Sequence, residues 1–199
     1  MEVIGLSGPP EGEGIKELGI RIINNLRRRT GILKGLIDDD YSSLVTDDAK
    51  IMRAESPGVS PYLESSAEKV ILLCSSPGNL KSAVDEAMSY FEDLDYLFVI
   101  GNDLILSLNP GVLIHVEENE GETEKSKMVK KDADAIINYV ELHKSSRLRD
   151  IDVDLPGEEI SCYRAQLISD LLGWGYAEFG SKLDREEIRV RRCQLNLFD

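Results

Sequence analysis

Met1-Glu2-Val3-Ile4-Gly5-Leu6-Ser7-Gly8-Pro9-Pro10-Glu11-Gly12-Glu13-Gly14-Ile15-Lys16 sets a short apolar run, a glycine-rich loop and the start of a helical pattern side by side. Val3 to Leu6 predicts a strand that ends in Ser7-Gly8-Pro9-Pro10. From Ile15 to Arg29, the residues Ile15, Leu18, Gly19, Ile22, Ile23 and Leu26 recur at the spacing of one helix face. The same order recurs downstream. Leu33–Ile37, Lys69–Cys74, Asp95–Ile100, Val112–Val116 and Ala133–Ile137 read as strands, with helices over roughly Leu80–Phe91 and Lys125–Lys131. Residues 41–66 carry the breakers Ser56-Pro57-Gly58 and Ser60-Pro61, so loop and short helix both fit. The strands are almost wholly apolar, as expected when both sheet faces are covered. Strands alternating with helices predict an α/β fold of three layers: a mostly parallel sheet with helices on both faces.

A charged segment, Lys144 to Asp154, marks a composition shift. Beyond it, Pro156-Gly157-Glu158-Glu159 predicts a helix opening there and running to about Leu172, and Glu187–Leu197 predicts an edge strand. Residues 1–145 are thus expected to form the α/β domain. Residues 146–199, too short for a second domain, are expected to be a helix-and-strand extension packed on it.

The 199 residues and 22.2 kDa suit one domain with a sizeable core. No run of about 18 apolar residues predicts a membrane-spanning helix, and the start lacks the basic region of a signal peptide. Cys74, Cys162 and Cys193 are far apart and form no CxxC pair, which suits a reducing, cytoplasmic setting and gives no zinc motif. A net charge of −14 argues against nucleic-acid or anionic-membrane partners. The basic runs Arg27–Arg29, Arg147–Arg149 and Arg189–Arg192 read as solvated faces or helix ends rather than binding patches.

Ligands of such a fold sit at the carboxyl ends of the strands. The loop after the first strand therefore invites comparison with the Walker A pattern G-x-x-x-x-G-K-[ST], which wraps phosphates in backbone N–H groups and supplies a lysine and a magnesium-binding hydroxyl. Gly8 is in place. Counting on from it, Glu13, Gly14 and Ile15 stand at the second glycine, lysine and hydroxyl positions. Moving the frame by one restores Gly14 but puts Ile15 and Lys16 in the last two places. Glu11 and Glu13 add negative charge, and within about 5 Å of a phosphate such charges oppose binding by several kcal/mol unless a metal intervenes. Pro9 and Pro10 each remove an N–H donor. Lys16 sits late for the phosphates and is placed to fold back on Glu11 or Glu13. Gly8, Gly12, Gly14 and Lys16 are the candidate anion-binding residues; a glycine-rich turn that has lost its ligand is the competing reading.

Several later segments fit the same framework. They are Ile37-Asp38-Asp39-Asp40, Ser65-Ser66-Ala67-Glu68-Lys69-Val70-Ile71-Leu72, Leu94-Asp95-Tyr96-Leu97-Phe98-Val99-Ile100-Gly101-Asn102, Asn109-Pro110-Gly111-Val112-Leu113-Ile114-His115-Val116 and Ala133-Asp134-Ala135-Ile136-Ile137-Asn138. With Ile4-Gly5-Leu6-Ser7-Gly8 and in this order, they make residues 1–140 resemble the small P-loop proteins around the molybdopterin-guanine dinucleotide biosynthesis adaptor protein B. Related uncharacterised nucleotide-binding proteins share the likeness, within the GTPase-like class that also holds signal-recognition and MinD-type proteins. The resemblance implies a nucleotide with Mg²⁺ as ligand and a homodimer or protein partner. It also implies an acid at the end of the fourth strand, where this chain has Ile100, which cannot hold a magnesium shell. Asp38 and Asp40 are the best replacement metal ligands, although a polar turn leaving the core is the preferred reading of that run. Asn138 resembles a base-reading residue and is equally a common strand-end turn residue.

His115 lies inside a strand and is expected to be half-buried and structural. His143 is expected to be solvated, and no Ser/His/Asp arrangement is supported. Cys74 reads as a small core residue. Trp174 and Tyr176 fit either a contact patch or the hydrophobic stop of a helix. With both the Walker lysine and the strand-four acid lost, the expectation is a non-hydrolysing binding or adaptor protein. An active NTPase or small-molecule kinase with an atypical loop, and a structural subunit of a complex, are the alternatives.

Overall fold

The computed structural model describes residues 1–10 and 12–191. Its strands are β1 (Glu2–Ser7), β2 (Thr30–Ile37), β3 (Ser43–Thr46), β4 (Lys69–Ser75), β5 (Tyr96–Ile100), β6 (Val112–Glu117), β7 (Ala135–Asn138), β8 (Val153–Asp154), β9 (Glu159–Ser161) and β10 (Arg189–Arg191). Eight of them form one sheet in the order β3-β4-β2-β5-β1-β6-β7-β8. The six inner strands run parallel, and β3 and β8 close the two edges antiparallel. The expected three-layer α/β fold is what the chain adopts.

The helices are α1 (Glu13–Asn25), α2 (Ala49–Glu55), α3 (Ser60–Leu63), α4 (Leu80–Met88), α5 (Asn102–Leu108), α6 (Glu124–Lys131), α7 (Tyr139–Lys144), α8 (Cys162–Leu172) and α9 (Tyr176–Arg185). Successive strand residues point to opposite faces. On β5, Phe98 and Ile100 join one apolar layer with Ile15, Leu18, Ile22 and Ile23 of α1. Leu97 and Val99 join the other, with Ala83, Val84 and Ala87 of α4, Leu104 and Ile105 of α5, and Val129 of α6. The connection leaving β1 therefore lies on one face and that leaving β5 on the other. These neighbouring strands open a crevice beyond their carboxyl ends, the position at which open α/β sheets bind ligands.

The C-terminal part differs in detail from the sequence reading. The helix expected from Pro156 starts at Cys162, because Glu159–Ser161 first pairs with Arg189–Arg191 in a small parallel sheet of its own. The strand expected over Glu187–Leu197 is thus not an edge of the main sheet, and its residues 192–197 lie outside the described ones. Leu167, Ile168 and Leu171 of α8 and Phe179 and Leu183 of α9 share the apolar layer of α1. Among the described residues, no helix is long and apolar enough to cross a membrane.

Candidate functional site

The crevice is a cavity of about 490 Å³ lined by the start of the first loop, the end of β2, and the turn from β5 into α5. Apolar side chains dominate it: Pro9, Pro10, Ile15, Leu36, Ile37, Ile100 and Leu104. Gly101 shapes its wall at φ +124°, a conformation that side chains rarely adopt, and a Cβ there would lie 3.0 Å from the Gly35 carbonyl oxygen. Asn102 Nδ2 donates to the Gly8 carbonyl at 3.3 Å, tying the two loops across the opening. At the rim, Lys125 and Asp103 pair at 2.9 Å.

A buried charged residue, Lys34, is part of the lining. It lies on β2 in register with Ile100 of β5, lines the crevice and is only 5% exposed. The sequence reading named Lys16 as the cation near the glycine loop and passed over Lys34. Its signal was legible, for it is the lone charge in the apolar run Gly31-Ile32-Leu33-Lys34-Gly35-Leu36-Ile37. Lys16 instead turns back to Glu13, at 2.7 Å.

The glycine loop is closed by its own protein. Gly12, the N-cap of α1, has no side chain with which to cap the helix. Glu118, from the segment after β6, supplies the missing acceptor: the Gly14 N–H donates to Glu118 Oε1 at 2.8 Å. A carboxylate at a helix N-terminus satisfies an otherwise orphaned donor and faces the positive end of the helix dipole. Glycine is needed for this approach, since a Cβ on Gly12 would lie 2.5 Å from Glu118 Oε1. The Gly12 N–H is itself used by the Pro9 carbonyl, at 3.0 Å. Glu118 had no local signal, being 104 residues from its partner.

Behind the loop lies a buried polar chain that the sequence reading did not foresee. Ser7 ends β1 and pairs in register with His115 on β6. Ser7 Oγ is 2.9 Å from His115 Nδ1, and His115 Nε2 is 3.5 Å from Glu122 Oε1, with Lys130 3.6 Å beyond. The histidine is fully buried rather than half-buried. A serine with 1% exposure offers no substrate access, so this chain anchors the segment Glu117–Glu124 rather than forming a nucleophile. Burial pushes the His115 pKa down, opposed by Glu122. The folded protein then holds fewer protons than the unfolded chain just below the ordinary histidine value of about 6.5, so stability falls as pH drops through that range. We expect urea midpoints between pH 7.5 and 5 to show this slope, and His115→Gln to flatten it.

The other expected site residues lie elsewhere. Asp38, Asp39 and Asp40 are exposed in a turn, where Asp38 Oδ1 accepts the Asp40 N–H at 3.0 Å, and they do not line the crevice. No group of three or more metal-ligating side chains that could hold an ion occurs among the described residues. Asn138 caps α7 by accepting the Val140 N–H at 2.9 Å and is exposed away from the crevice. His143 is largely exposed, with Nδ1 3.1 Å from Glu17. Trp174 is buried against Phe179, not an exposed contact. Cys74 is fully buried, which pushes its thiol up to about 11 and makes it inert at neutral pH. No family model, no curated protein and no solved structure matches this chain.

Proposed function

We propose that this chain is a P-loop-derived binding protein that does not hydrolyse nucleotide, with its ligand site in the crevice at the β1–β5 switch point. In this reading it is related to the proteins around the molybdopterin-guanine dinucleotide biosynthesis adaptor protein B, and acts in the cytoplasm as a homodimer or with a protein partner. The observation that carries the proposal is the Glu118 carboxylate on the Gly14 N–H, at 2.8 Å, where a phosphate cradle would need that donor. Support comes from Ile100, a buried hydrocarbon where a magnesium-holding acid would stand, and from Lys16, engaged by Glu13. These residues fit a magnesium nucleotide poorly.

The test is thermal denaturation with millimolar ATP or GTP and Mg²⁺, together with a phosphate-release assay. We expect no change in Tm and no released phosphate. A rise of several degrees, the mark of a ligand that binds only the folded state, would instead support an atypical NTPase or kinase. Light scattering at micromolar concentration tests the dimer.

A further inference from the structure

We infer that the crevice takes an uncharged, mostly apolar small molecule and discriminates against ions of either sign. This rests on the crevice being the ligand site. Its volume of about 490 Å³ is in the size range of small-molecule sites, which are mostly apolar with a few placed polar groups. Hydrocarbon reaches it from both layers of the fold: Ile15 of α1 and Ile100 of β5 from one, Leu104 of α5 from the other, with Leu36 and Ile37 at the end of β2. Covering such a surface with an apolar ligand removes it from water, which is favourable.

The charges decide the class. Among the described lining residues, Lys34 and Lys125 stand against Asp103 and Glu124, so the formal charges cancel. Each is also engaged within the protein. Lys34 has an interaction of its own in the chain. Lys125 Nζ and Asp103 pair at 2.9 Å, and Glu124 accepts from Lys127 Nζ at 3.1 Å. The uncharged polar side chains serve the fold as well: Asn102 Nδ2 donates to the Gly8 carbonyl at 3.3 Å, and Thr123 Oγ1 accepts the Ser126 N–H at 3.1 Å. The rim pair is partly in solvent, Lys125 56% and Asp103 30% exposed, so a ligand anion could take Lys125 only by leaving Asp103 unmatched. An entering ion of either sign would lose hydration and find its counter-charge already met, and burying a charge on those terms is costly.

The experiment titrates the whole chain at neutral pH with 3-phenylpropanol, 3-phenylpropionate, 3-phenylpropylammonium and inorganic phosphate, by calorimetry and by amide chemical shifts of Gly35, Gly101 and Asn102. We expect the alcohol to bind at millimolar concentration or below, with shifts confined to the crevice. The two organic ions are expected to bind about tenfold or more weakly, and phosphate to leave the shifts unmoved. Asp103→Asn strips Lys125 of its partner and is expected to raise the affinity of the propionate relative to the alcohol about threefold, the scale of a partly exposed ion pair. Lys125→Met is expected to do the same for the ammonium probe. An ion that binds as tightly as the alcohol, phosphate shifts in the crevice, an order of affinities that neither variant moves, or no binding of the alcohol overturns the inference. The order of the probes on the unaltered protein decides it even if a variant does not fold. A nucleotide-induced rise in Tm would instead count against the non-hydrolysing reading, so the two failures are distinct.

Discussion

Phe179→Ala is expected to lower stability by about 3–5 kcal/mol, the usual cost of emptying a buried aromatic site, and to lower it for the whole molecule at once. Phe179 sits on α9 with no exposed surface, its ring 5.1 Å from that of Trp174. Trp174 is fixed in turn by its Nε1–H, which donates to the Arg149 carbonyl at 2.6 Å. Both rings belong to the same apolar layer as Ile22 of α1 and Ile114 and Ile137 of the sheet. Truncation therefore opens a cavity in the shared core rather than under a detachable tail. The sequence holds one tryptophan, so its fluorescence reports on the extension alone. Urea unfolding followed by that signal and by far-ultraviolet circular dichroism is expected to give coincident transitions, shifted together in Phe179→Ala. Separate transitions would mean that the segment after residue 145 folds on its own.

The parts of this fold that were legible in the sequence are those in which one run of residues carries the whole message. The strand at Lys69–Cys74 is apolar at nearly every position, because helices cover both of its faces, and such a run allows little else. Elements whose evidence is tertiary were hidden. β3, with the four residues Ser-Leu-Val-Thr, exists by pairing antiparallel with β4. α5 and α7 begin directly after strand ends and are too short for periodicity to declare them. Trp174 between two glycines fitted either a contact patch or the hydrophobic stop of a helix, and burial just after α8 makes it the second. Gly173 is there because it ends α8 in the left-handed conformation, φ +73°, which lets the chain turn Trp174 back into the core. At the site, the departures from the Walker pattern were readable at Glu13, Ile15 and Ile100. What the Gly14 N–H binds was not, since Glu118 comes from a distant acidic segment and meets Gly14 only in the folded sheet. Asn138 was open to two readings, a base-reading residue or a strand-end turn, and in the structure its side chain caps α7.

Gly35→Val is expected to destabilise the protein by about 3 kcal/mol, at the upper end of ordinary overpacking, through one contact. Gly35 and Leu104 both line the crevice, on β2 and α5. A Cβ on Gly35 would lie 2.5 Å from both Cγ and Cδ1 of Leu104. Leu104 cannot swing aside, because it is fully buried among Leu33, Val99 and their neighbours. The clash therefore pushes α5, and with it Gly101 and Asn102, away from the β2–β5 edge on which the crevice depends. Leu104→Ala alone is expected to cost about 2–5 kcal/mol by leaving a cavity. In Gly35→Val/Leu104→Ala the new methyl groups occupy the space the leucine vacated. The double variant should thus be more stable than the sum of the single losses predicts, by about 0.5–3 kcal/mol, the range for residues in direct contact. Urea midpoints of the four proteins measure this coupling. Strict additivity would mean that the added side chain is accommodated without touching Leu104, and that the narrow packing of β2 on α5 does not set the width of the crevice.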